Sequence, residues 1–244
     1  LLAKFDSGEV RQKIEAHFAS DVSSSLVIYA CDARTLTMYA EGNRYISLPY
    51  EAVDTILADG RPVYWLSKLW LNKSFQQTTG PGLFFDVLSS DKYRHKRHMF
   101  YGGTQSTVSM LQERCVQTGV NVVHAESPPF LPIDNMEINK VNQLIKEHNP
   151  DFFWCGLGAP KQEYLLYQLD RDNNTVMVGV GLAFDYYAGK VQRAPKIISK
   201  LGLEWVMRYG QQPQRIARFI KPLFFVGILL VKEFVKARFS SFRL

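Results

Sequence analysis

The sequence predicts an α/β fold, a mainly parallel, doubly wound sheet with helices on both faces. Three observations carry that prediction. Short apolar runs alternate with helix-period runs through the middle of the chain. Several of the apolar runs stop at closely spaced glycines. The 244 residues, 46% hydrophobic and 21% charged, can bury a substantial core and do not have the composition of a disordered chain.

The elements follow in order. Leu26–Tyr29 and Val53–Leu57 read equally as strands or as helix segments, because short apolar runs carry no decisive period. His98–Tyr101 is a short apolar run ending at Gly102-Gly103, and Thr104 can cap a helix running to about Gln117. Val120–His124 is β-branched and apolar. Asp134–His148 has helical spacing at Met136, Val141, Leu144 and Ile145, with Asp134 as its capping residue. The strand Asp151–Cys155 stops at Gly156-Leu157-Gly158, and Pro160 stands where a first-turn proline belongs in a helix Lys161–Leu169. Thr175–Val180 is the last strand. Four strands separated by three helical stretches imply crossover helices and parallel pairing. No linker or composition shift marks a domain boundary before about Lys196.

Charge is concentrated at the end of the chain. From Arg208 onward there are eight Lys/Arg and one acid, a net of +7, whereas the whole chain is +6. The body is therefore near neutral, and the tail is built to meet an anionic partner. Within that tail, Leu223–Val231 is a nine-residue apolar run between Lys221 and Lys232. A membrane span needs about 20 residues, so this run cannot cross a bilayer. No apolar segment suited to a secretory leader follows Leu1. Cys31, Cys115 and Cys155 form no CxxC pair and leave one thiol over, which predicts a reducing compartment and small core residues.

In sheets of this kind, ligands sit beyond the carboxyl ends of the strands. Three glycine loops qualify: Gly102-Gly103-Thr104, Gly156 to Glu163, and Gly179-Val180-Gly181. Each reads singly as a turn, but three at successive strand ends make a nucleotide-sized site. None is GxGxxG, so the dinucleotide fingerprint is missing. Asp59-Gly60 ends an apolar stretch and reads either as a tight turn or as a carboxylate base facing the pocket. Asp185 divides in the same way between a structural hydrogen bond and a ligand contact. Asp170-Arg171-Asp172, the one DxD, precedes a strand and so falls at the wrong edge of the sheet for a metal-bound diphosphate; it reads as a solvated helix end. No His/Cys cluster has zinc spacing, and no metal site is predicted. Arg208, Arg215 and Arg218, spaced seven and three, share a helix face if Pro213 does not break it. They read either as a solvated stripe or as a guanidinium cluster suited to a diphosphate.

Asp59-Gly60, GLGAPKQE at 156–163, GVGLAFDYYAGKVQRAP at 179–195 and GLEWVMRYGQQPQRIARF at 202–219 together resemble the WecG/TagA/CpsF glycosyltransferases of bacterial surface polysaccharide synthesis. The resemblance runs from about Leu26 to Phe219. It implies a Rossmann-like core over 1–195 and a C-terminal helical appendage over 196–244 that docks on the membrane and completes the active site. It implies inverting, metal-independent transfer from a UDP-sugar to a polyprenyl-diphosphate-linked saccharide, with no cofactor. Carried over by position, Asp59 is the general base, Gln162 a pocket residue, and Arg208, Arg215 and Arg218 the holders of the diphosphate. Asp32, Gly102, Gly103, Gly156, Gly158, Lys161, Glu163, Gly181, Asp185 and Arg193 are the remaining candidates for substrate binding. Relatives usually carry Thr-x-Asn where this chain has Ala30-Cys31-Asp32. Relatives often read Arg-Val-Thr-Gly-Thr-Asp where this chain reads Gln77-Thr78-Thr79-Gly80-Pro81-Gly82. One cation and one acid near the donor pocket are thus replaced.

Two rival classes remain from the sequence alone. A nicotinamide-dependent oxidoreductase fits the α/β pattern but lacks the glycine fingerprint. A non-catalytic membrane adaptor fits the basic tail; nucleic acid does not, because Phe224, Phe225 and Phe234 suit an apolar surface better than base stacking. The expected location is the cytoplasmic face of the bacterial cell membrane, held peripherally. On a helix, Lys221, Lys232 and Lys236 would cluster, with Leu223, Val226 and Leu230 available to the acyl boundary. The same apolar run also suits packing on the core or a homo-oligomer interface.

Overall fold

The computed structural model describes residues 2–20, 23–71, 74–192 and 217–240, with side chains of the last helix over 220–235. Six parallel strands form one sheet: β1 Leu26–Cys31, β2 Thr55–Ala58, β3 His98–Gly102, β4 Val122–Glu126, β5 Phe152–Gly156 and β6 Val176–Gly179. Their order is β2-β1-β6-β5-β3-β4, so the chain lays down β1-β2 on one side and β3-β4 on the other before β5 and β6 fill the space between them. The two N-terminal runs of undecided type are both strands. Their alternation is hidden because the sheet is covered on both faces, which makes every position apolar.

The two faces have separate cores. On one, Tyr29, Ile56, Phe153 and Met177 meet α2 (Ala33–Ala40), α3 (Arg44–Ala52), α4 (Arg61–Leu71), α7 (Ile138–His148) and α8 (Lys161–Gln168) through Leu36, Tyr50, Leu66, Val141 and Leu166. On the other, Ile28, Phe100, Trp154 and Val178 meet α1 (Val10–Ala19), α5 (Gly80–Ser89), α6 (Gln105–Thr118) and α9 (Ala183–Tyr187) through Ile14, Phe84, Leu111 and Phe184. Buried His98 sits in this second layer. Its Nδ1 accepts from Trp154 Nε1 at 3.0 Å, which leaves Nε2 to donate to the Tyr93 carbonyl at 2.9 Å. The ring is therefore the neutral Nε2–H tautomer.

Local chemistry explains the helix limits. Thr104 caps α6 by accepting from Thr107 N, and Gly119, left-handed at φ 70°, ends it. Asp32 forms a capping box with Thr35 at the start of α2. Asp134 is not the cap of α7. It lies in a short turn, Ile133–Asn135, and its carboxylate is taken by Arg44 and Tyr45. Pro160 precedes α8, joined to Ala159 by a cis peptide.

The final helix, α10 (Ala217–Ser240), packs across α2 and α4. Val226 is fully buried in the first core, with Phe225, Leu229 and Leu230 beside it, and Lys221 pairs with Glu41 at 2.7 Å. The expectation that Val226 faces a bilayer is therefore corrected, since an all-apolar stretch does not reveal which stripe packs inward. The exposed stripe is Ile220, Phe224, Ile228, Val231, Phe234 and Val235, rotated from the expected one. Between α4 and α10 lies an apolar groove of about 700 Å³ lined by Trp65, Leu69, Leu230, Val231 and Phe234, with Lys68 at its side. No helix among the described residues is long and apolar enough to cross a membrane.

Candidate active site

Parallel pairing brings every strand's carboxyl end to one edge, and the candidate residues gather there. β1 delivers Asp32, β2 delivers Asp59, β5 delivers Gly156 and Gly158, and β6 delivers Gly181. With Arg34, Gln162 and Asp185 they line a cavity of about 290 Å³. A second cavity of about 560 Å³ adjoins it, lined by Thr104, Ser127, Phe130, Leu131, Glu137 and Lys161 among others. Gly103, Gly156, Leu157 and Asp185 line both, so the two form one bilobed cleft with Asp185 at the waist.

Gln162 organises the smaller lobe. Its Oε1 accepts from Gly158 N at 3.2 Å and Gly181 N at 2.9 Å, fastening two of the glycine loops together. Its Nε2 donates to Glu163 Oε1 at 2.9 Å. Glu163 does not line the cleft. It is fully buried beneath it, and its Oε2 has no hydrogen-bond partner among the described residues. Burial raises its carboxyl to about 7, with Asp32 adding to the rise and Gln162 and Arg34 opposing it.

The glycines divide by role. Gly102 is buried at φ 126°, and a Cβ there would come within 2.6 Å of the Gly156 backbone. At Gly156 a Cβ would meet the Phe184 ring at 2.6 Å. Both are demanded by close packing of β3, β5 and α9, not by a ligand alone. Gly103, Gly156, Gly158 and Gly181 line the cleft; Gly102 does not.

Asp59 stands half-buried at the wall of the smaller lobe, its N–H on the Cys31 carbonyl at 2.9 Å. Asp32 also lines that lobe, and its Oδ1 accepts from Thr35 N at 2.8 Å. Asp185 Oδ1 accepts from Thr107 Oγ1 at 2.9 Å. Lys161 lies 3.6 Å from the Phe130 ring centroid and donates to the Leu131 carbonyl at 2.5 Å, at the wall of the larger lobe. Arg34, which no motif signalled, donates from NH1 to the Ala159 carbonyl at 3.1 Å. Arg193, Arg208 and Arg215 lie outside the described residues, as does the side chain of Arg218. Asp170 and Asp172 lie at the opposite edge of the sheet; Asp170 pairs with Lys146 at 3.1 Å. No group of His, Cys, Asp and Glu among the described residues could hold a metal ion. The three thiols are buried, and burial pushes each up to about 12, as core residues rather than nucleophiles.

Comparison with known proteins places the chain in a family. Two N-acetylglucosaminyldiphosphoundecaprenol N-acetyl-beta-D-mannosaminyltransferases of Staphylococcus aureus, from strains MW2 and NCTC 8325 / PS 47, are each 27% identical to this chain. Each alignment spans 237 residues, 95% of this chain and 92% of the relative. The protein of that name from strain MRSA252 is 26% identical over the same span. The profile described as "Glycosyl transferase WecG/TagA/CpsF family" matches residues 2–239, nearly the whole chain. The family resemblance of the motifs at 156–219 thus extends over the fold that carries the cleft, and the chain belongs to the WecG/TagA/CpsF glycosyltransferase family.

Proposed function

We propose that this glycosyltransferase moves an N-acetylhexosamine from a UDP-sugar to N-acetylglucosamine carried on a polyprenyl diphosphate, inverting the anomeric centre. The observation that carries this reading is the bilobed cleft. The smaller lobe is sugar-sized and lined by Asp32, Asp59, Gln162 and Asp185, groups that accept from or donate to hydroxyls. The larger has Phe130 as an aromatic surface for a base and Lys161 beside it. The relatives named for transfer to N-acetylglucosaminyldiphosphoundecaprenol support the acceptor class.

In the proposed reaction an acceptor hydroxyl attacks the anomeric carbon of the donor. Asp59 takes the hydroxyl proton, the new glycosidic C–O bond forms, and the bond from that carbon to the diphosphate oxygen breaks. UDP departs with the electron pair. Arg208, Arg215 and Arg218, as the family motif implies, stabilise the leaving charge, with Arg193 a further substrate-binding candidate. The transfer is metal-independent: the DxD is at the wrong edge, and Asp170 is engaged by Lys146. The exposed stripe of α10, with Trp65 and Leu69 across the groove and lysines at 68, 221 and 232, meets the anionic cytoplasmic face of the membrane.

The test is direct. UDP-hexosamines are offered with a synthetic polyprenyl-diphosphoryl N-acetylglucosamine, with and without excess EDTA, and products are read by mass spectrometry and by anomeric coupling. A lipid-linked disaccharide of inverted linkage, formed in EDTA, is expected. Failure with every UDP-sugar while another nucleotide sugar succeeds overturns the donor, and retention of configuration overturns the mechanism.

A further inference from the structure

We infer that Arg34 is a diphosphate-binding residue of the cleft, supplied by the core itself and independent of the C-terminal arginines. The inference rests on the reading that the donor is a UDP-sugar. Among the described residues lining the smaller lobe, Arg34 is the cation, facing three carboxylates: Asp32, Asp59 and Asp185. Glu163 adds a fourth acid just beneath. A wall of carboxylates suits sugar hydroxyls but repels a diphosphate, so an anionic donor needs a positive group among them. The loop beside Asp59, residues 74–82, contains no Lys or Arg, and its Gln77 donates to the Ala58 carbonyl at 2.9 Å instead.

Arg34 is poorly explained as a structural residue. It is the second residue of α2, at the helix end where the backbone dipole disfavours a cation. It makes no ion pair among the described residues, and its one hydrogen bond there is from NH1 to the Ala159 carbonyl. The acid nearest in sequence, Asp32, has Oδ1 turned to Thr35 in the capping box. A half-buried guanidinium has five N–H donors in a planar fork that matches phosphate oxygens. The carbonyl contact fixes one arm of that fork and leaves the rest for a ligand. Through the shared residues Gly156, Leu157 and Asp185, the lobe holding Arg34 opens to the lobe proposed for the base. A diphosphate joining base to sugar has to pass between them.

The experiment compares the full chain with Arg34→Gln and Arg34→Lys for binding of UDP, uridine and inorganic diphosphate by calorimetry. Arg34→Gln should weaken UDP and inorganic diphosphate about 10- to 150-fold, the range of one charge-assisted contact. Uridine affinity should stay unchanged, and Arg34→Lys should fall between. A residue that merely supports the fold would lower uridine affinity and melting temperature together, an outcome that overturns the inference. So does UDP binding by Arg34→Gln equal to wild type. Wild-type protein that binds inorganic diphosphate but not UDP, with Arg34→Gln weakened, removes the UDP-donor reading and leaves Arg34 in place. If the Gln variant folds poorly, the Lys variant, which keeps stem and charge but not the fork, still discriminates by its diphosphate-to-uridine ratio.

Discussion

Glu163 fixes which way round the Gln162 side-chain amide lies. The carboxylate accepts from Gln162 Nε2 at 2.9 Å, and so Gln162 Oε1 is the atom presented to Gly158 N and Gly181 N. A flipped amide would set its NH2 against two N–H donors. Glu163→Leu removes the acceptor for Gln162 Nε2 and leaves a buried NH2 without a partner, a loss of about 1–3 kcal/mol. Loosened glycine loops should cut transfer by about 10²-fold, the cost of an ångström's misplacement. Glu163→Gln retains a carbonyl oxygen and should restore most of the rate. Steady-state kinetics of the two variants, set beside their melting temperatures, check this.

Two buried groups give stability opposite dependences on pH. Burial holds Glu163 up at about 7 against an ordinary 4.5, so its contribution is complete below pH 4.5 and lost as pH rises through 7. Burial holds His98 down at about 4 against 6.5, so its contribution is complete above pH 6.5 and lost as pH falls through 4. Each is worth about 3 kcal/mol between its limits. In wild type they oppose one another over pH 4.5–6.5. Glu163→Gln cannot ionise, so its stability relative to wild type should rise by up to about 3 kcal/mol from pH 4.5 to pH 8. Denaturant melts at those two pH values measure the difference; a constant gap would place the ionisation elsewhere.

Asp59→Asn should keep the fold and UDP affinity while turnover drops about 10²–10⁴-fold, the usual loss of a general base. Asparagine keeps the shape and much of the hydrogen bonding of the residue but cannot take a proton. A variant retaining more than about a tenth of the activity would identify Asp59 as a turn residue.

For α10, the inward and outward faces should separate cleanly. Val226→Asp puts a charge into the first core and should unfold the protein or lower its stability by several kcal/mol. Phe224→Ser with Val231→Ser alters exposed positions only and should change stability by under about 1 kcal/mol. The double variant should nevertheless lose co-sedimentation with anionic liposomes. Retained liposome binding, or a shift from oligomer to monomer on gel filtration, would make the stripe a protein interface instead.

Much of the fold was legible because glycines and caps punctuate it. Thr104 and Gly119 bracket α6 as the chemistry of caps requires, and β3, β5 and β6 lie within a residue or two of their apolar runs. β4 is shifted two residues later than its apolar run, because this edge strand is only half-buried. The helices over 33–89 were not legible. They carry Pro49, Pro62 and Pro81 and mixed aromatics that blur a 3.6-residue period. At the site, Asp32, Asp59, Gln162 and Asp185 could be read from strand ends and motifs. Arg34 could not, since a lone arginine after a capping residue has no signature until the pocket closes around it. Glu163 was read as a pocket residue, but α8 turns it under the floor.

The strand order has a consequence for how this chain is made. β1 is bonded along one side to β6, with Leu26 opposite Val176, so its partner is synthesised 150 positions later. At roughly 5–20 residues per second, the apolar edge of β1 waits on the order of 10–30 s for its neighbour. Until then Asp32 and Asp59 exist as a half-site with no opposite wall. The cleft is therefore among the last features to appear during translation, and the nascent protein meets its substrates only after the whole sheet has closed.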